Sequence, residues 1–137
     1  MLANPSLEEL ARILRSAKTI AVVGCSPRRY RPSHEIAEFL IDRGYEVIPV
    51  NPGHDQLLGV ACYPSVAAIP RPVDIVDVFR RPEFMPETVA DAIAARAKVI
   101  WMQDGIFHDA AAASARAHGI VVVQDRCIMR DCVALLE

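Results

Sequence analysis

The stretch "AVVGCSPRRYRPSHEIAEFL", Ala21 to Leu40, decides the fold. An apolar run ends at Gly24, a polar turn follows, and apolar residues then recur at helical spacing at Ile36, Ala37, Leu40 and Ile41. Strand, glycine turn and helix in that order open a βαβ unit, whose turn lets the backbone approach a phosphate. A dinucleotide site would place further glycines at positions 26 and 29, where this chain has Ser26 and Arg29. Between Arg28 and His34 stand Arg28, Arg29, Arg31 and the histidine, with no acid among them. Guanidinium groups offer paired donors suited to phosphate oxygens, so the turn calls for a polyanion.

Outward from this unit the pattern repeats. Ser6 with Glu9 has the capping-box form, and a helix is expected over Leu7–Ser16. Thr19–Val23 reads as a strand covered on both faces. Ser33 is expected to cap the helix that follows, which Gly44 closes. Glu46–Val50 is the second strand, ended by Asn51-Pro52-Gly53, and the looser segment after it holds one helical turn at Ser65–Ile69. Ile75–Phe79 is the third strand, and Pro86 opens a helix at its first position. Val99–Met102 is the fourth strand. A helix capped by Asp109 runs over Asp109–His118, Ile120–Val123 is the fifth strand, and a last helix lies within Ile128–Leu136. Strands and helices that alternate with short connections give an α/β fold: a Rossmann-like, doubly wound, five-stranded parallel sheet. The 137 residues make a single domain, with its core at about 19–127. A strand order of 3-2-1-4-5 is expected, which puts the ligand crevice between the first and fourth strands.

Charge bounds the function. A net charge of −2 excludes a general electrostatic affinity for nucleic acid or membranes, so any anion site is local. No apolar run reaches the length of a membrane span, and the start has no signal-peptide pattern. Cys25, Cys62, Cys127 and Cys132 lack zinc or disulfide spacing; they read as free thiols of a cytoplasmic protein, with no metal site. Cys25, beside a helix N-terminus and arginines, is expected to have a lowered pKa.

The crevice is expected to be lined by the loops after each strand. After the first come the amides of Gly24, Cys25 and Ser26, the side chains of Arg28, Arg29 and Arg31, then Pro32 and the helix end at Ser33. Asn51, Pro52, Gly53 and His54 follow the second strand, where a neutral amide would not repel a phosphorylated ribose. Phe79 can pack on a base, with Arg80 and Arg81 at the rim. Gln103, Asp104 and Gly105 face the first loop across the crevice. Asp125 and Arg126 read as a mutual pair. No nucleophile with a base in reach stands out, since Ser33 suits a cap better than catalysis.

Together these loops resemble the CoA-binding domain family, in particular its small stand-alone members. "AVVGCSP", the "RPS" of Arg31–Ser33, "VIPVNP", "VDIVDVFRRPE", "WMQDG" and "QDRC" carry the resemblance across most of the chain. It extends to the N-terminal domain of succinyl-CoA synthetase alpha subunits. It implies binding of coenzyme A or an acyl-CoA as a small-molecule ligand through Gly24, Cys25, Ser26, Pro52, Gly53, His54, Val78, Phe79, Arg80, Met102, Gln103 and Asp104. His54 stands where those enzymes have a lysine. In the synthetase a second domain supplies the phosphorylated histidine, so this sequence alone is expected to bind without catalysing. A mixed disulfide between Cys25 and the CoA thiol is a further expectation. The alternatives are an NADP-dependent oxidoreductase domain and a ligand-free interaction or regulatory module. A homodimer or another protein partner stays open.

Overall fold

The computed structural model describes residues 3–136; Met1, Leu2 and Glu137, included in the expected domain span, lie outside the described residues. β1 (Thr19–Val23), β2 (Glu46–Val50), β5 (Ile75–Val78), β6 (Val99–Met102) and β7 (Val121–Val123) form one parallel sheet. A two-stranded antiparallel hairpin, β3 (Gln56–Leu57) and β4 (Val60–Ala61), lies in the segment read as loose. Its turn residues Leu58 and Gly59 both have positive φ, a two-residue geometry that Asn-Gly or Asp-Gly would have announced and Leu-Gly does not.

Alternation along the strands separates two cores. Ala21, Val23, Ile48, Val50, Val76, Val78, Ile100 and Met102 face α3 (Met85–Ala94) and α4 (Asp109–Ala117). Ile20, Val22, Val47, Ile75, Val99 and Trp101 face α1 (Leu7–Ser16), α2 (Pro32–Asp42) and α5 (Ile128–Leu136). With helices on both faces the strands are apolar along nearly their whole length, Asp77 on β5 being a buried exception, which is why the sequence shows near-continuous apolar runs.

The strand order corrects the expectation. β1 pairs with β2 on one side and β5 on the other, giving β2-β1-β5-β6-β7. In terms of the five main strands this is 2-1-3-4-5, so the crevice opens between β1 and β5, the third main strand. Alternation of elements fixes a doubly wound sheet but says nothing about which side of β1 receives the chain after the hairpin.

Several boundaries also move. The cap of α2 is Arg31, with Pro32 as the first helical residue, so Ser33 lies inside the helix. α4 is capped by His108, whose Nδ1 accepts from the Ala111 amide at 3.0 Å, not by Asp109. Pro86 is the second residue of α3, because a 3-10 turn over Pro82–Phe84 leads into Met85. Among the described residues no helix is long and apolar enough to cross a membrane.

Candidate functional site

The turn after β1 sits at the centre of the crevice. Gly24 has φ +82, and a Cβ there would lie 2.6 Å from the backbone oxygen of Phe79, so only glycine fits where β1 and β5 come together. The Gly24 and Cys25 amides both donate to the Val50 carbonyl, at 3.0 and 3.3 Å, and the Ser26 amide donates to Ser33 Oγ at 3.0 Å. The backbone donors expected to cradle a phosphate therefore serve the protein itself. Ser33 is a buried lock on the turn, and Pro32, at the first helical position, has no N–H to offer.

Positive charge at this turn comes from side chains. A depression of about 510 Å³ is lined by Gly24, Ser26, Arg28, Arg31, Pro32, Ser33 and Phe79. Arg28 and Arg31 are exposed; Arg28 Nη1 donates to the Tyr30 hydroxyl at 3.2 Å, and Arg31 lies 5.9 Å from the Tyr30 ring centre. Arg29 points elsewhere, lining a separate depression with His34, Glu38 and Asp42. Among the described residues, no carboxylate lies within ion-pair distance of Arg28, Arg29 or Arg31.

Two further depressions adjoin this one. The first, about 350 Å³, shares Gly24 with it and is walled by Val50, Pro52, Ser65, Val66, Arg80, Glu87, Thr88 and Asp91. The second, about 580 Å³, shares Pro32 and Phe79 and continues over Ile36, Pro82, Gln103, Asp104, Gly105, Ile106 and Cys127. Together they form a groove across the carboxyl ends of β2, β1, β5 and β6, with a basic middle and a largely apolar far end. Arg80 links the two ends; its guanidinium lies 4.4 Å from the Phe84 ring centre and 3.4 Å from Thr88 Oγ1.

Most of the residues singled out from the sequence meet on this groove, and some do not. Cys25, Val78 and Met102 are fully buried beneath it. Asn51 turns inward: its Nδ2 donates to the Cys25 carbonyl and its Oδ1 accepts from the Gly53 amide, both at 2.9 Å. Gly53 and His54 are exposed next to Pro52, outside the linings. Gln103 is buried and its Oε1 accepts from the Ile128 amide, while Asp104 is held by Arg130 at 2.7 Å. The Asp125–Arg126 pair does not form. Arg126 instead binds Asp131 through two bonds of 2.7 and 2.8 Å, and Asp125 accepts from the Gly105 amide.

Sequence reading missed Val66, Glu87, Thr88, Asp91, Ile106 and Cys127 as groove walls. Glu87 and Asp91 look like the solvated face of an amphipathic helix, and only the fold turns that face toward Pro52. Ser65 had a signal, since it caps the 3-10 turn that carries Val66.

Burial shapes the titrating groups. The Cys25 thiol is pushed up to about 12 by burial, with Cys62 and Asp77 adding to the shift, so the expected low-pKa thiol is not formed. Desolvation is the largest cause of this shift. Asp77, fully buried on β5 with neither oxygen hydrogen-bonded, is held well above the usual carboxylate range by burial alone. Asp91 is raised by burial and by Glu87, against the Arg80 charge. Among the described residues no group of three or more His, Cys, Asp or Glu is placed to hold a metal ion.

The family described as CoA binding domain matches residues 18–132. The Bacillus subtilis (strain 168) protein YneT is 42% identical over 125 residues, which cover 91% of this chain and 93% of that one. A protein from Pyrococcus horikoshii OT3 superimposes with a TM-score of 0.94 at 36% identity, over 100% of this chain and 99% of its own. An acetate–CoA ligase (ADP-forming) from Archaeoglobus fulgidus is 34% identical over 76 residues, 54% of this chain but only 11% of the ligase.

Proposed function

We propose, for a chain that belongs to the CoA-binding domain family, that the groove binds coenzyme A or an acyl-CoA and holds it without transforming it. One observation carries this reading: Arg28 and Arg31 line a depression at the switch point, and among the described residues no acid lies within ion-pair distance of them. Guanidinium groups without an acidic partner at the mouth of a crevice favour an anionic ligand such as phosphate. Coenzyme A carries roughly four negative charges at neutral pH, by the titration of its phosphates.

The groove's three parts match the molecule's three chemistries. Glu87 and Asp91 repel phosphate but accept hydrogen bonds from ribose hydroxyls or an adenine amine, so the nucleoside lies toward Pro52 and Ser65. The phosphates lie over Arg28 and Arg31. The pantetheine arm runs past Phe79 toward Ile106 and Cys127, where the wall is mostly apolar. Arg80 is a cation that lines this nucleoside end.

The test is a thermal-shift and calorimetry panel of CoA, acetyl-CoA, NADP and NAD, since a ligand of the native state raises its melting temperature. CoA or acetyl-CoA is expected to bind at micromolar levels with little response to NADP or NAD. Preference for NADP would replace this reading with the oxidoreductase one, and no response to any would favour an interaction module.

A further inference from the structure

Gln103 directly follows β6, on the far arm of the groove, and is only 5% exposed. Its Oε1 accepts from the Ile128 amide, the first of α5, at 3.1 Å. That contact decides how the side-chain amide is turned, because the opposite placement would set an NH2 group against an N–H. Nε2 is thereby fixed on the other arm of the amide, and it has no hydrogen-bond partner among the described residues. Nor is it sealed in. The buried unpartnered side-chain atoms are both oxygens of Asp77 and Nε2 of Gln124, whereas Gln103 lines the depression of about 580 Å³. A locked donor with a free N–H thus opens on the groove.

The other polar groups on this wall are engaged or stand at the rim. Arg80 lies against Phe84 and Thr88, Arg81 is exposed 3.7 Å from Glu83, and Asp104 is held by Arg130. The Gly105 amide donates to Asp125 and the Ile106 amide to the Gln103 carbonyl. Ile36, Phe79, Pro82 and Ile106 make the rest of the wall apolar. The group that satisfies this arrangement is a carbonyl oxygen flanked by apolar atoms. A thiol is a weak acceptor, so the end of free CoA leaves the donor poorly served. A thioester brings a carbonyl and an acyl chain together. A ligand that covers the amide without offering an acceptor is penalised.

We infer that Gln103 makes the far end of the groove an acyl-thioester subsite. Its Nε2 donates to the thioester carbonyl while the acyl chain lies on the apolar wall, so the site takes an acyl-CoA in preference to free CoA. The inference rests on the coenzyme A reading and narrows it.

Calorimetry with CoA, acetyl-CoA and ethyl-CoA tests it; ethyl-CoA is a thioether with the same two added carbons and no carbonyl. The wild type is expected to bind acetyl-CoA about fivefold or more tighter than either of the others, the scale of one hydrogen bond. Gln103→Glu keeps an acceptor for the Ile128 amide and, at about pH 8, where a carboxyl is ionised, replaces the free donor by an acceptor. This variant is expected to keep its circular dichroism spectrum and to lose the preference for acetyl-CoA over ethyl-CoA, whatever its charge does to all three ligands together. If it fails to fold, the side-chain amide protons of Gln103 in the wild type, assigned through bonds, give the second reading. Acetyl-CoA is expected to move them downfield and ethyl-CoA is not; equal shifts overturn the role of Gln103, as does a folded variant that keeps the preference. Equal affinity of the wild type for the three ligands overturns the acyl subsite and leaves the coenzyme A reading standing. Failure of all three to bind overturns both.

Discussion

The side-chain amide of Asn51 donates to the carbonyl of Cys25 at 2.9 Å, tying the loop after β2 to the turn after β1. The same amide accepts from Gly53, so one residue holds both loops in register. Asn51→Ala is expected to cost about 1–3 kcal/mol by leaving the Cys25 carbonyl without its donor. Asn51→Asp should cost more, because it faces an acceptor with an acceptor. Urea unfolding of the three proteins checks the order, and equal midpoints would contradict it.

Gly24 admits no side chain. Gly24→Ala combines a left-handed backbone, which costs an L residue about 1–2 kcal/mol, with a Cβ only 2.6 Å from the Phe79 carbonyl. The clash is with backbone, so relief requires β1 and β5 to part at the floor of the groove. Stability and ligand affinity are both expected to drop, as denaturation and calorimetry would show.

The arginines should not be equivalent. Arg31 lines the groove and Arg29 lines the depression behind it. Arg31→Ala is expected to weaken CoA binding roughly ten- to hundred-fold, the scale of a charge-assisted bond, with an unchanged circular dichroism spectrum. Arg29→Ala should lose far less. Equal losses would mean that the long-range field alone, and not the groove, sets affinity.

Asp77 makes stability depend on pH in an uncommon direction. Burial raises its folded-state pKa, so the folded protein holds the proton more tightly than the unfolded chain does. Its contribution is complete below the unfolded value near ~4 and is lost as pH rises toward the folded one. Asp74 acts in the opposite sense. Its pKa is lowered by the amides of Lys18 and Thr19 and by Lys98, which outweigh its partial burial, so its contribution is lost only on acidification. Asp91, also raised by burial and by Glu87, acts in the same sense as Asp77, so the Asp77→Asn comparison between about pH 5 and about pH 8 is what isolates Asp77. Wild type should be less stable at the upper end, and Asp77→Asn should flatten the difference. A wild type equally stable at both ends would contradict this.

The Cys25 thiol, fully buried and raised to about 12, should resist alkylation in the native protein and react only on unfolding. Intact-mass measurement after treatment with CoA disulfide is expected to show no adduct that disappears in Cys25→Ser. Such an adduct would mean that the turn opens readily.

The β-branched runs, the capping box at Ser6 and Glu9, and the glycine after α2 made the elements legible, because each is a local signal. α1 and α5 have the bounds their spacing implied. The Leu58-Gly59 hairpin and the caps at Arg31 and His108 were not legible, since each departs from the residue preferences that would mark it. At the groove, residue types clustered at strand ends were enough to pick out Gly24, Arg28, Arg31, Phe79 and Gln103. Whether a given donor was free was not.

By itself, then, the sequence determined an alternating α/β chain with a basic turn after its first strand, because hydrophobic period and local charge are written residue by residue. Tertiary structure alone decided that β5 lies beside β1, that the Gly24 to Ser26 amides are consumed by Val50 and Ser33, and that Arg29 faces away. Those outcomes depend on which distant groups come within hydrogen-bond reach, and reach across the chain is a property of packing.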